Sequence, residues 1–132
     1  MSSAMASTIV GATIGPSQCT IFNVGDSPAY MIRKTDVTKL STDDVPPGAR
    51  TGVITQCLGG GHHAPPRAHI VEQDLQSGDI LLLLSDGISD VVSEDLLRKI
   101  ASSKASDTAE ILCQEATRQG GGDDASVVIC YF

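Results

Sequence analysis

The chain has 132 residues, 41% of them hydrophobic, which is enough for one ordinary core and too few for two. Its formal charge of −7 excludes a broad basic surface for nucleic acid or anionic membrane. No run approaches a membrane span, and Met1 to Ala6 lacks the basic region of a secretory signal, so the expected setting is the cytoplasm, with neither nucleic acid nor membrane as partner.

In chain order, Ser7 to Ile14 and Gln18 to Val24 read as a strand pair turning at Gly15-Pro16-Ser17. Ala29 to Arg33 and Val37 to Leu40 suggest a hairpin around Lys34-Thr35-Asp36. The stretch 43–67, with Pro46-Pro47-Gly48, Gly59-Gly60-Gly61 and Pro65-Pro66, reads as a long loop or flap holding a short element near Val53 to Leu58. Ala68 to Asp74 returns as an alternating strand, and Ile80 to Leu84 is an unbroken apolar run expected to be buried on both faces. Ser93 is placed to cap a helix beginning Glu94-Asp95. Asp107-Thr108-Ala109-Glu110 has the pattern of a capping box for a second helix, which Gly120 stops. A last strand spans Val127 to Phe132. Strands, then helices, then a strand give α+β rather than alternating βαβ.

Chemistry is expected where strands end in carboxylates. The apolar run delivers Ser85-Asp86-Gly87-Ile88-Ser89-Asp90; an earlier strand ends in Gly25-Asp26-Ser27, and Gly120-Gly121-Gly122 leads into Asp123-Asp124 before the last strand. Alone, Asp86-Gly87 is a common turn dipeptide. Three strand ends carrying aspartate favour instead an oxygen-ligand site for magnesium or manganese, because clustered carboxylates repel unless a divalent cation neutralises them. Bound cations would also reconcile an acidic chain with phosphate chemistry. The four cysteines, Cys19, Cys57, Cys113 and Cys130, form no Cys-x-x-Cys pair and read as small buried hydrophobes, while His62, His63 and His69 lack ligand spacing.

These segments resemble a known family. Asn23-Val24-Gly25-Asp26-Ser27-Pro28-Ala29-Tyr30 is similar to the NxGDSRxY segment of the metal-dependent type 2C protein serine/threonine phosphatases. Leu81 to Val92 resembles their LLLxSDGLxDVV, and Asp123 to Val128 their terminal DNxTVVV. Val53 to Gly59 resembles xITxxLG, Leu40 to Asp44 resembles LTxDH, and Met5 to Ala12 resembles the MGTTLVAA strand from the middle of the complete domain. The matches keep the family's order over nearly the whole chain, which therefore resembles the C-terminal part of that domain. The NED pair, the DGxGG turn and the phosphate-gripping arginine have no counterpart here, and His62 and His63 are not assigned to fill a catalytic role.

The resemblance implies an α+β fold in which residues 1–132 form part of an antiparallel β-sandwich flanked by helices, with open sheet edges that invite another polypeptide. It implies hydrolysis of phosphoserine and phosphothreonine in protein substrates at a site of two or more Mg2+ or Mn2+ ions, by in-line attack of water without a covalent phosphoenzyme. Asp86 and Asp123 would be direct metal ligands, Asp26 and Asp90 would help hold an additional ion, and Gly87 would let the backbone turn closely around the metals. Asp124, where the family has asparagine, leaves open which of the adjacent carboxylates binds metal. With the other ligands absent, the chain alone is expected to be inactive. Two alternatives stand beside this: a non-catalytic phosphatase-like binding module, and one half of a divided domain that takes up a missing N-terminal segment or self-associates.

Overall fold

The structure, a computed structural model, describes residues 5–48, 53–61 and 64–132. Its elements are β1 (Ala6–Ser7), β2 (Ile9–Ile14), β3 (Gln18–Val24), β4 (Ala29–Arg33), β5 (Asp36–Lys39), β6 (Leu58–Gly59), β7 (His69–Asp74), β8 (Ile80–Leu84), α1 (Asp86–Ser89), α2 (Glu94–Ser102), α3 (Thr108–Arg118) and β9 (Val127–Tyr131). All pairings are antiparallel: one sheet runs β2-β3-β7, a second β5-β4-β8-β9, and β1 pairs only with β6.

Alternation along the strands builds three layers. Cys19 and Ile21 of β3 meet Ala29 and Met31 of β4 and Leu81 of β8 in a core between the sheets. The opposite face of the second sheet carries Tyr30, Ile32, Ile80, Leu82 and Leu84, which pack on Leu97 and Ala101 of α2 and Leu112 and Ala116 of α3. This is the expected sandwich with helices outside. At the far end of β8, Asp79 is 2% exposed and accepts two hydrogen bonds from Arg33, at 2.9 and 2.7 Å, which hold its carboxyl below the usual range.

Four expectations change. Leu83 is only half-buried, because it lines an apolar cleft of about 370 Å3 between β2 and the β8–β9 pair, so β8 is not covered along its whole length. Among the described residues the 43–67 stretch forms one two-residue strand, β6, with nothing regular at Val53 to Cys57. Asp107 makes no side-chain cap: its backbone, at φ −103 and ψ 16, is not in the extended region a capping residue takes, while Thr108 donates its hydroxyl to the Ala105 carbonyl at 2.6 Å. Ser93, by contrast, accepts from the Leu96 N–H as its position predicts. The fourth change is at Asp86-Gly87, where a short helix replaces the simple turn.

Candidate metal centre

The order β4-β8-β9 brings three strand ends to one end of a sheet. Because β8 runs antiparallel to both neighbours, its last residues lie beside the first residues of β4 and of β9; Ala29 pairs with Leu83 and Val127 with Leu84. Asp26 precedes β4, Asp86 follows β8 and Asp123 precedes β9, so residues separated by as many as 97 positions in the chain are brought to one end of the sheet by register.

Local bonds hold each arm. The Ser85 N–H donates to the Ser126 carbonyl at 3.0 Å, and Ser85 Oγ accepts from the Ser126 N–H at 2.9 Å, sealing the β8–β9 end. The Asp123 carboxylate accepts from the Asp124 N–H at 2.9 Å. In α1, the Asp90 N–H donates to the Asp86 carbonyl at 2.9 Å, one turn on, which places both carboxylates on one helix face. Gly87 is buried against the same loop: a Cβ there would lie 2.1 Å from the Asp124 carbonyl oxygen. Gly87→Ala is therefore expected to push the 123–125 loop away from Asp86 and to cost about 1–3 kcal/mol, the usual range for overpacking. Urea unfolding checks the cost; a variant as stable as the parent contradicts this contact.

The electrostatics report the crowding. Asp86 is raised above the ordinary carboxylate range by burial and then by the Asp123 charge. Asp26 is raised by burial and by Asp86, with smaller contributions from Asp43 and Asp90, and Asp90 by loss of solvent and by Asp86, Asp123 and Asp43. Asp123 thus acts on Asp86 and Asp90, whereas Asp124 contributes its backbone N–H and carbonyl to the loop. Asp43, which no strand end marks, acts on both Asp26 and Asp90; its Oδ2 pairs with Lys39, and its Oδ1 is buried without a hydrogen-bond partner among the described residues. Its signal was confined to the LTxDH-like match.

As a donor set, these residues suit a hard divalent cation: all are carboxylates, they repel one another, and one buried oxygen is orphaned. They are neighbours rather than a converged cage, since among the described residues no three carboxylate, imidazole or thiolate groups come together closely enough to hold an ion. The 370 Å3 cleft has no carboxylate among its lining residues and lies beside the acidic end, touching it through Ser27, Ser85 and Ser126. His62 and His63 lie outside the described residues. His69 pairs with Asp44 at 2.6 Å.

Comparison with known proteins places this fold among phosphatases. The family described as Stage II sporulation protein E (SpoIIE) matches residues 1–132. A serine/threonine phosphatase, Stp, of Listeria innocua is 34% identical over 95% of this chain and 56% of its own length. The protein phosphatase PstP of Mycobacterium tuberculosis is 30% identical over 95% of this chain and 27% of its own. The crystal structure of the catalytic domain of PstP, in complex with two manganese ions, superposes with a TM-score of 0.80 at 27% identity, covering 94% of this chain and 57% of that one. The chain thus spans little more than half of the Listeria phosphatase and of the solved catalytic domain.

Proposed function

The chain belongs to the SpoIIE family, whose fold is that of the type 2C serine/threonine phosphatases, and from that membership we propose that it is the metal-binding C-terminal part of a Mg2+- or Mn2+-dependent protein phosphatase acting on phosphoserine and phosphothreonine. The observation that carries this reading is the placement of Asp26, Asp86 and Asp123 next to three adjacent strand termini, with Asp90 one helical turn from Asp86. Asp86 and Asp123 are the direct ligands in this proposal, Asp26 and Asp90 hold a further ion, and Gly87 admits the 123–125 loop. Asp124 shapes that loop and is the remaining candidate ligand. When bound, divalent cations neutralise the carboxylates and supply the Lewis-acid charge that phosphate-monoester hydrolysis requires. The chain's own share is to hold the ligands.

Substrate grip in this proposal lies with the phosphate-gripping arginine that has no counterpart among the matched segments, and three arginines of the described residues are already paired. Arg33 is engaged with Asp79 at the opposite end of β8, Arg98 with Asp95 and Arg118 with Glu115. Positioning is a separate source of rate from metal activation, so a site lacking both the remaining ligands and an anion clamp is expected to turn over little. Among the described residues the carboxylates do not converge on one ion, which favours a site completed by further residues over a self-sufficient one. The partner is then the segment that precedes the matched region in the relatives, or a second copy; the β2 and β9 edges of the sheets lack a pairing strand among the described residues. A cytoplasmic setting is part of the same proposal, and no helix among the described residues is long and apolar enough to cross a membrane. The test is hydrolysis of a phosphopeptide with manganese, by the chain alone and then mixed with the preceding segment of a relative. The expected result is no turnover above the manganese background alone and recovery on mixing. Robust turnover by a verified monomer would overturn the incomplete-site reading.

A further inference from the structure

Asp44 lies outside the acidic set but is built into its support. It is 6% exposed, and both of its oxygens are engaged: Oδ2 accepts from the Gly25 N–H at 2.8 Å, while Oδ1 accepts from Gln56 Nε2 at 3.0 Å and pairs with His69 Nε2 at 2.6 Å. Its own N–H donates to the Gly25 carbonyl at 2.9 Å, and its carbonyl accepts from the Thr55 N–H at 2.7 Å. One residue thus joins the turn before β4, the 53–57 segment and the first residue of β7. Burial pulls the Asp44 carboxyl upward, and the Gly25 N–H, His69 and Gln56 together outweigh it and bring it below its ordinary range. The carboxylate is therefore held charged where desolvation alone would disfavour it.

What this grips is the residue before Asp26. Gly25 has φ +104, open to few residues other than glycine, and a Cβ there would lie 2.4 Å from Thr8 Cγ2. Two reciprocal bonds with Asp44 fix Gly25, and the Thr8 and Ser27 hydroxyls meet at 2.6 Å on the far side of Asp26. Asp26 is repelled by Asp86, Asp43 and Asp90. Without a clamp it relieves that repulsion by swinging to solvent.

We propose that Asp44 is a positioning residue that holds Asp26 toward the acidic end and couples its placement to the 53–57 segment through Gln56 and to β7 through His69. The role rests on reading the acidic end as a cation site. Partners that orient a ligand in this way are typically worth on the order of 10–100-fold in metal affinity.

The test compares the unmodified chain with Asp44→Ala, Asp26→Asn and the double variant, following free manganese by electron paramagnetic resonance and amide hydrogen exchange without metal. In the exchange measurement, residues 25–27 and 55–56 lose protection in Asp44→Ala while 88–92 keep theirs; unchanged protection at 25–27 overturns the clamp whether or not metal binds. In the manganese measurement, Asp44→Ala weakens binding roughly tenfold, and adds less than about twofold in the Asp26→Asn background. Equal losses in both backgrounds, or none in the first, overturn the positioning role. Should Asp44→Ala not fold, Asp44→Asn, which keeps an acceptor for Gly25, carries the same comparison with a smaller loss. A chain that binds no manganese at all defeats the metal reading and the role with it, while the exchange result still decides the clamp.

Discussion

Leu82→Ala is expected to cost about 2–5 kcal/mol, the range for emptying a fully buried leucine site. Leu82 is 0% exposed and stands in the middle of the second sheet, between Tyr30 of β4 and Ile129 of β9 in register, with its side chain in the layer that α2 and α3 cover. Neighbours on both strands and both helices are held by their own pairings, so the void closes poorly. Leu83→Ala is expected to cost only about 1–2 kcal/mol, because part of that side chain already faces the cleft and less apolar area leaves water on folding. Urea unfolding at constant slope checks the pair. Equal losses would mean that the cleft is closed in solution, by self-association or by the unmatched segment of a longer chain.

That contrast shows what the sequence does and does not reveal. The unbroken run Ile80 to Leu84 announces a core strand, and its period of two places Leu81 and Leu83 on one face and Leu82 and Leu84 on the other. Nothing local says that the sheet opposite Leu83 is incomplete there, since β2 is supplied from more than seventy residues away. Ser93 is legible as a cap because its bond closes within three residues, and so is the stop at Gly120, whose φ is +87. The 107–110 pattern is equally local, yet Asp107 takes a backbone conformation, φ −103 and ψ 16, that is not the extended one a cap requires. For the acidic end, the strand-end rule finds Asp26, Asp86 and Asp123, because each follows or precedes an apolar run. It passes over Asp43 and Asp44, which sit in irregular chain with no period to mark them. Asp44 earns its place only through bonds to Gly25, Gln56 and His69, at separations of 12 to 25 residues that no spacing rule encodes. It also stands where the LTxDH pattern has histidine, so the resemblance gives no guide to its carboxylate.

Asp86→Asn is expected to abolish measurable manganese binding while leaving the fold intact or more stable. Asp86 follows β8 instead of lying within it, and the carboxylates of Asp26 and Asp90 are both raised by its charge, so removing that charge relieves two repulsions at once. The sign of the pH dependence follows. Asp26, Asp86 and Asp90 bind protons more tightly folded than unfolded, so their contribution favours the fold at low pH and is lost as pH rises through their raised folded values. Asp79 and Asp44 work in the opposite sense: with folded values lowered, they stabilise above the unfolded carboxylate range and lose that contribution as pH falls through their folded values. In chelator, unfolding midpoints across the acidic range should therefore show the parent losing stability relative to Asp86→Asn as the carboxylates ionise. Manganese should restore the parent selectively, because a bound cation stabilises the folded state only where the ligand is present. Equal manganese affinity in the two chains, or equal stabilisation of both by the ion, would remove Asp86 from the metal site and leave the acidic end as a solvated strand terminus.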